Sequence, residues 1–85
     1  MQSFTYEVKD ELGIHARPAG LLAKEVKNYA CKVTLVKGNS RVPANGVMGI
    51  MMLNVKKGDN VCVEMEGEDE EAACKGLLAF FRETL

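Results

Sequence analysis

Hydrophobic residues in this chain recur first at every second position, then at every third and fourth, and the two periods keep exchanging along the sequence. Phe4, Tyr6 and Val8 alternate with Thr5, Glu7 and Lys9, the period of a half-buried strand. From Ala16 the period lengthens. Ala19, Leu22, Ala23, Val26 and Ala30 fall on one helical stripe, while Arg17, Gly20, Lys24 and Lys27, spaced by three and four, share another face. Cys31, Val33 and Leu35 return to alternation. Lys37-Gly38-Asn39-Ser40 reads as a turn, with a short return strand over Arg41 to Ala44. Pro43 has no N–H to give a neighbour, which places that strand at a sheet edge. Asn45-Gly46 precedes a short helix over Val47 to Leu53, with Asn45 as its candidate cap. Asn60 to Glu66 alternates again, with Val61, Val63 and Met65 on one face. Asp69 then predicts an N-cap, and Glu70 and Glu71 complement the dipole of the first turn. Ala73, Cys74, Leu77, Leu78, Phe80 and Phe81 form a broad apolar stripe, and Glu71 and Lys75 are spaced as an i,i+4 pair.

The expected order is strand, helix, strand, strand, helix, strand, helix. Each strand has one apolar and one polar face, so the expected fold class is α+β: an antiparallel sheet with helices on one side and water on the other. At 85 residues the chain is long enough for one small domain, 1–85. The net charge of −1 argues against a nucleic-acid binder and leaves room for a local basic face. No apolar run approaches the length of a membrane span, and the opening MQSFTYEVKDE lacks the order of a signal peptide, so the expectation is a cytoplasmic protein. Three widely spaced cysteines, Cys31, Cys62 and Cys74, predict reduced and mostly buried thiols. With one histidine and no CxxC, neither a metal nor a cofactor is expected.

The chemistry concentrates in Glu11 to Ala30, ELGIHARPAGLLAKEVKNYA. The only histidine, His15, stands one residue before the helix that starts near Ala16. The first N–H groups of a helix lack internal partners and carry about half a positive charge, which favours an anion such as phosphate. Pro18 fits the first turn, where its missing N–H breaks no helical bond. Ala16 and Arg17 still offer their N–H groups, and the Arg17 guanidinium matches phosphate oxygens. These positive surroundings oppose a further positive charge on the ring and favour a nucleophilic imidazole. His15 is thus a candidate phosphoryl acceptor; read without its neighbours, it is a surface residue or partial cap.

The string GIHARPAGLL resembles the active-site signature of the HPr family, the histidine phosphocarriers of the bacterial sugar phosphotransferase system. The resemblance extends over the whole chain, through NGVMGIMML and the GEDEEAA start of the final helix. It implies the HPr open-faced β-sandwich, four antiparallel strands with three helices on one face. It implies a carrier, not a turnover enzyme. Such a carrier takes a phosphoryl group from phosphorylated enzyme I, charged by phosphoenolpyruvate, and passes it to the IIA domains of sugar permeases. By position, His15 matches the phosphohistidine, through Nδ1, and Arg17 its charge-stabilising partner; Lys24 and Lys27 match the partner-binding face. The residues themselves extend that face. Arg17, Gly20, Lys24 and Lys27 lie beside His15, and Val47, Met48, Met51 and Met52 offer an apolar patch suited to acidic partners. Against this, Met48 and Met51 are equally readable as core, while adjacent Met51 and Met52 cannot both point inward.

Two positions depart from the family. Many Gram-positive HPr proteins carry a kinase-modified regulatory serine just before the Met-Gly of the short helix; here Gly46 stands there, so that switch has no hydroxyl. Leu12 replaces a small polar residue of the active-site loop, where it would narrow partner choice or bury the ring differently. Catabolite-repression paralogues without the histidine are set aside by the presence of His15. Two alternatives to a sugar-uptake carrier remain: a regulatory paralogue phosphorylated on His15, and a passive interaction module. A monomer is expected, since a carrier presents one exposed face to successive partners.

Overall fold

The computed structural model describes residues 1–85. Its elements follow the expected order: β1 (Gln2–Glu7), α1 (Ala16–Val26), β2 (Lys32–Lys37), β3 (Ser40–Pro43), α2 (Val47–Met52), β4 (Asn60–Glu66) and α3 (Glu70–Thr84). The strands form one sheet in the order β1-β4-β2-β3, and every neighbouring pair is antiparallel. Pro43 lies on β3 at the sheet's edge, as its missing donor requires.

Register separates the two faces. Phe4, Val63, Leu35 and Val42 stand in one row facing the helices; Thr5, Cys62, Val36 and Arg41 stand in the next, on the uncovered side. The helix-facing side continues into a single cluster of 20 buried residues, with Leu22, Leu35, Ile50, Met65, Leu77 and Phe81 among its largest. The Phe81 ring meets Phe4 and Tyr6 edge-on, each at 5.5 Å between centroids, a geometry that adds about 0.5–1.5 kcal/mol per pair beyond area burial. Arg41 pairs with Glu64 across the open face.

Several local expectations are corrected. Ala30 is exposed and outside α1. The helix tightens at its end, where Lys27, Asn28 and Tyr29 each donate to the carbonyl three residues back, and the chain then turns away. Asp69 occupies the N-cap of α3, but its carboxylate does not cap that helix. It reaches across to accept the N–H groups of Ala30 (2.7 Å) and Cys31 (2.8 Å). The Ala30 bond above all holds the Asp69 carboxyl below the usual range. Gly67 N–H donates back to Glu70 Oε1, 3.2 Å. Glu71 and Lys75 are exposed and form no ion pair, consistent with the small worth of such pairs. All three cysteines are free, but only Cys31 is buried. Burial, with the Asp69 charge adding, pushes its thiol up to about 11. Cys62 sits half-buried on the open face and Cys74 half-buried beside the core.

Candidate functional site

The loop before α1 is held by its backbone. Asp10 closes it: its carbonyl accepts Gly13 N–H and its Oδ1 accepts Leu12 N–H, both at 2.9 Å. Gly13 has φ +67, and a Cβ there would stand 2.2 Å from the Val55 carbonyl oxygen, so only glycine fits. That same carbonyl accepts Ile14 N–H at 3.0 Å, and the Ile14 side chain is buried. On the other side, the Leu85 carbonyl accepts the N–H groups of Lys9 and Asp10 at 2.7 and 2.9 Å. The end of α3 is thereby tied to the loop.

His15 follows as the N-cap residue of α1, in extended conformation, with its carbonyl accepting Ala19 N–H at 3.0 Å. Its imidazole makes no capping bond and remains 36% exposed. The N–H groups of Ala16 and Arg17 donate to no backbone carbonyl. Arg17 is exposed and its guanidinium has no acidic partner. Pro18 is buried in the first turn. Asp10, His15, Arg17, Pro18, Leu21, Glu83 and Thr84 line one cleft of about 310 Å³. A histidine, two free N–H donors and an unpaired guanidinium at one rim are the groups an anionic phosphoryl centre requires.

The fold also adds negative groups that the sequence reading lacked. Asp10 Oδ2 stands 3.9 Å from His15 Nε2, and Glu83 brings a second carboxylate into the cleft from the C-terminal end of α3. The surroundings of the ring are therefore mixed in sign. Asp10 lay in plain view five residues before His15, but nothing in spacing marked it; Glu83 is joined to the site only by tertiary packing.

The remaining candidates share the neighbouring surface. α1 packs against α2. Gly20 is half-buried and Lys24 and Lys27 are exposed. Val47, Met48, Met51 and Met52 are all exposed, Met48 and Met52 by more than 70%. The core reading of Met48 and Met51 is thus overturned: α2 is six residues long, and Ile50 alone supplies its buried side chain. Leu21, also exposed, belongs with this face and was missed, although it stands four residues after Arg17 and three before Lys24. Leu12 is 72% exposed and does not line the cleft, so it does not bury the ring. Gly46 is the N-cap of α2 with no side-chain bond to the helix, and Asn45 does not replace it. Nothing lies within 4 Å of a Cβ built on Gly46, so a serine would fit there.

A family model described as the PTS HPr component phosphorylation site matches residues 2–83. The chain belongs to the HPr family. It is 36% identical over 81 residues to the phosphocarrier protein HPr of Mycoplasma genitalium, covering 93% of this chain and 91% of that one. Its fold superposes on that of a mycoplasma histidine-containing phosphocarrier protein with a TM-score of 0.94, at 25% identity, over 98% of this chain and 94% of the other. It is also similar to Crh, the catabolite-repression protein of Bacillus subtilis, solved as a dimer with a swapped domain: TM-score 0.78, 36% identity, 94% and 92% covered. HPr relatives thus include both phosphocarriers and regulatory proteins, and the open four-stranded sheet with three helices is common to them.

Proposed function

We propose that the 85 residues act as one phosphocarrier domain that receives a phosphoryl group on His15 Nδ1 from phosphorylated enzyme I and donates it to IIA domains of sugar permeases. The observation that carries this reading is the unused His15 ring at the start of α1, beside two unpartnered N–H groups and an unpaired Arg17. The Nδ1 lone pair attacks phosphorus, an N–P bond forms, and the bond from phosphorus to the donor breaks with its electron pair leaving on the donor. The phosphoryl oxygens are received by the N–H groups of Ala16 and Arg17 and by the guanidinium. Transfer to an acceptor reverses these events. The protein is consumed and regenerated, so it is a carrier and not an enzyme.

Arg17, Gly20, Lys24, Lys27, Val47, Met48, Met51 and Met52 form the docking face in this reading, positive charge around an apolar patch. The methionines adapt to successive partners. No helix is long and apolar enough to cross a membrane; in this reading the carrier works in the cytoplasm, as a monomer. The likeness to Crh supports a regulatory paralogue as the second reading; that this paralogue would be phosphorylated on His15 rests on the histidine of this chain and not on Crh. Gly46 leaves either version without the family's serine switch.

One experiment tests both. Incubated with enzyme I and labelled phosphoenolpyruvate, the protein acquires an acid-labile, base-stable phosphate that is absent in His15→Ala and acquired more slowly by Arg17→Ala. Discharge by sugar-specific IIA domains supports the uptake role. A label that these domains do not remove supports the regulatory one. No label on the wild-type protein with a competent enzyme I contradicts both.

A further inference from the structure

We propose that Asp10 is a positioning residue for His15: its carboxylate holds the imidazole proton on Nε2 and so leaves the Nδ1 lone pair free for phosphorus. The inference rests on the phosphocarrier reading and assigns a role within it to a residue that neither composition nor spacing marked.

The geometry is asymmetric. Asp10 presents its two oxygens to two different groups. Oδ1 accepts Leu12 N–H at 2.9 Å, closing a turn that fixes the carboxylate plane, and Oδ2 faces His15 Nε2 at 3.9 Å. The backbone of Asp10 is pinned at both ends, its N–H by the Leu85 carbonyl and its own carbonyl by Gly13 N–H. The carboxylate therefore cannot swing away without opening the loop. A neutral imidazole carries one N–H, and the partner at one nitrogen decides which nitrogen keeps the lone pair. Glu83 and Thr84 line the same cleft, yet neither forms an ion pair or hydrogen bond with the ring. Of the acidic side chains, Asp10 alone comes within 4 Å of Nε2. The separation is longer than a hydrogen bond, and such bonds tighten when the reacting group is bound.

The role continues through transfer. When Nδ1 gives its electron pair to phosphorus, the ring becomes an N-phosphorylated imidazolium with its proton still on Nε2, and the displaced pair leaves with the donor. No proton needs to move. The positive charge that appears on the ring is opposite the Asp10 carboxylate, while Arg17 and the helix terminus face the phosphoryl oxygens. The two carry opposite charges and are served by different groups of the cleft, Asp10 and Arg17.

The test uses Asp10→Asn in the full chain. Asparagine keeps an oxygen for Leu12 N–H and turns an NH2 group toward the ring, so the loop is retained while the group facing Nε2 changes from acceptor to donor. With 15N-labelled histidine and the ring neutral, nitrogen chemical shifts report the tautomer. The wild-type protein should show the proton on Nε2, and Asp10→Asn should move it toward Nδ1. Phosphorylation by enzyme I should slow about tenfold, the scale of one lost orienting hydrogen bond. An unchanged tautomer together with an unchanged rate overturns the role of Asp10 while leaving the carrier reading intact. If wild type takes no label at all, the carrier reading falls and the tautomer shift still decides what Asp10 does to the ring. Should Asp10→Asn fail to melt cooperatively, Asp10→Ser keeps the short turn without reaching the ring. It should show the same slowing and a weaker preference for the Nε2 proton; a wild-type rate and tautomer in that folded variant would overturn the proposal.

Discussion

At Gly13 the backbone turns through a left-handed conformation and passes so close to the Val55 carbonyl that no side chain fits between them. Two residues later His15 leaves its ring unbonded at the start of α1. The close approach at the first position fixes the path of the loop that leads to the second. Gly13→Ala should therefore destabilise the fold by roughly 1–3 kcal/mol, the range for a strained non-glycine conformation. It should also displace the Ile14 N–H bond to Val55. Urea denaturation and the amide exchange of Ile14 measure both; wild-type stability with a protected Ile14 amide would show that the close approach is not restrictive. At this scale the sequence disclosed the groups that lie beside each other along the chain. His15, Ala16, Arg17 and Pro18 owe their arrangement to one helix start, and local spacing suffices to find it. Asp10 comes to the ring through a turn, and Glu83 comes to the same cleft through the docking of α3, placements that no local pattern encodes. Leu21 has the three-and-four spacing of the Arg17 face, but its neighbour Leu22 fits the buried stripe and masks it.

The elements were legible because their periods are clean, and they failed where an end is set by tertiary contact. Ala30 continues the helical stripe of α1 in sequence. In the fold its N–H belongs instead to Asp69, thirty-nine positions away. Asp69 was recognised as standing at a helix start, but its two oxygens serve Ala30 and Cys31 and so fasten the α1–β2 connection to the head of α3. The six-residue α2 likewise buries only Ile50, which frees the methionines that a longer helix would divide between core and surface. The bonds to Asp69 make a pH-dependent prediction. Its folded-state carboxyl lies below the ordinary value of 3.8, chiefly because of the Ala30 N–H. Its contribution to stability is then complete above that ordinary value and disappears as pH falls through the depressed one. Asp69→Asn, which retains one acceptor of the two, should melt below the wild type at neutral pH. The gap should close in strong acid, where the wild-type carboxyl is itself protonated. A gap that persists unchanged into acid would mean that packing, not charge, is what the substitution removes.

On the scale of the molecule, one face of a four-stranded sheet is covered by three helices, and the start of α1, with His15, lies where the loop from Asp10 to Ile14 meets the C-terminal end of α3. The alternation of strand and helix periods was enough to place the sheet, the helices and the edge strand with Pro43. It was not enough to show that the cleft mixes a cationic rim with two carboxylates, because Glu83 reaches the site only through the tertiary docking of α3. That mixture suits the proposed transfer, with donors for the phosphoryl oxygens and the Asp10 carboxylate beside the ring. The central claim is transfer to His15 Nδ1, and the direct measurement is nitrogen–phosphorus coupling in 15N-histidine-labelled protein phosphorylated by enzyme I. The account predicts a single phosphorylated ring with phosphorus coupled to Nδ1 of His15 and the proton on Nε2. Phosphorus on Nε2, or on any residue other than His15, would contradict it.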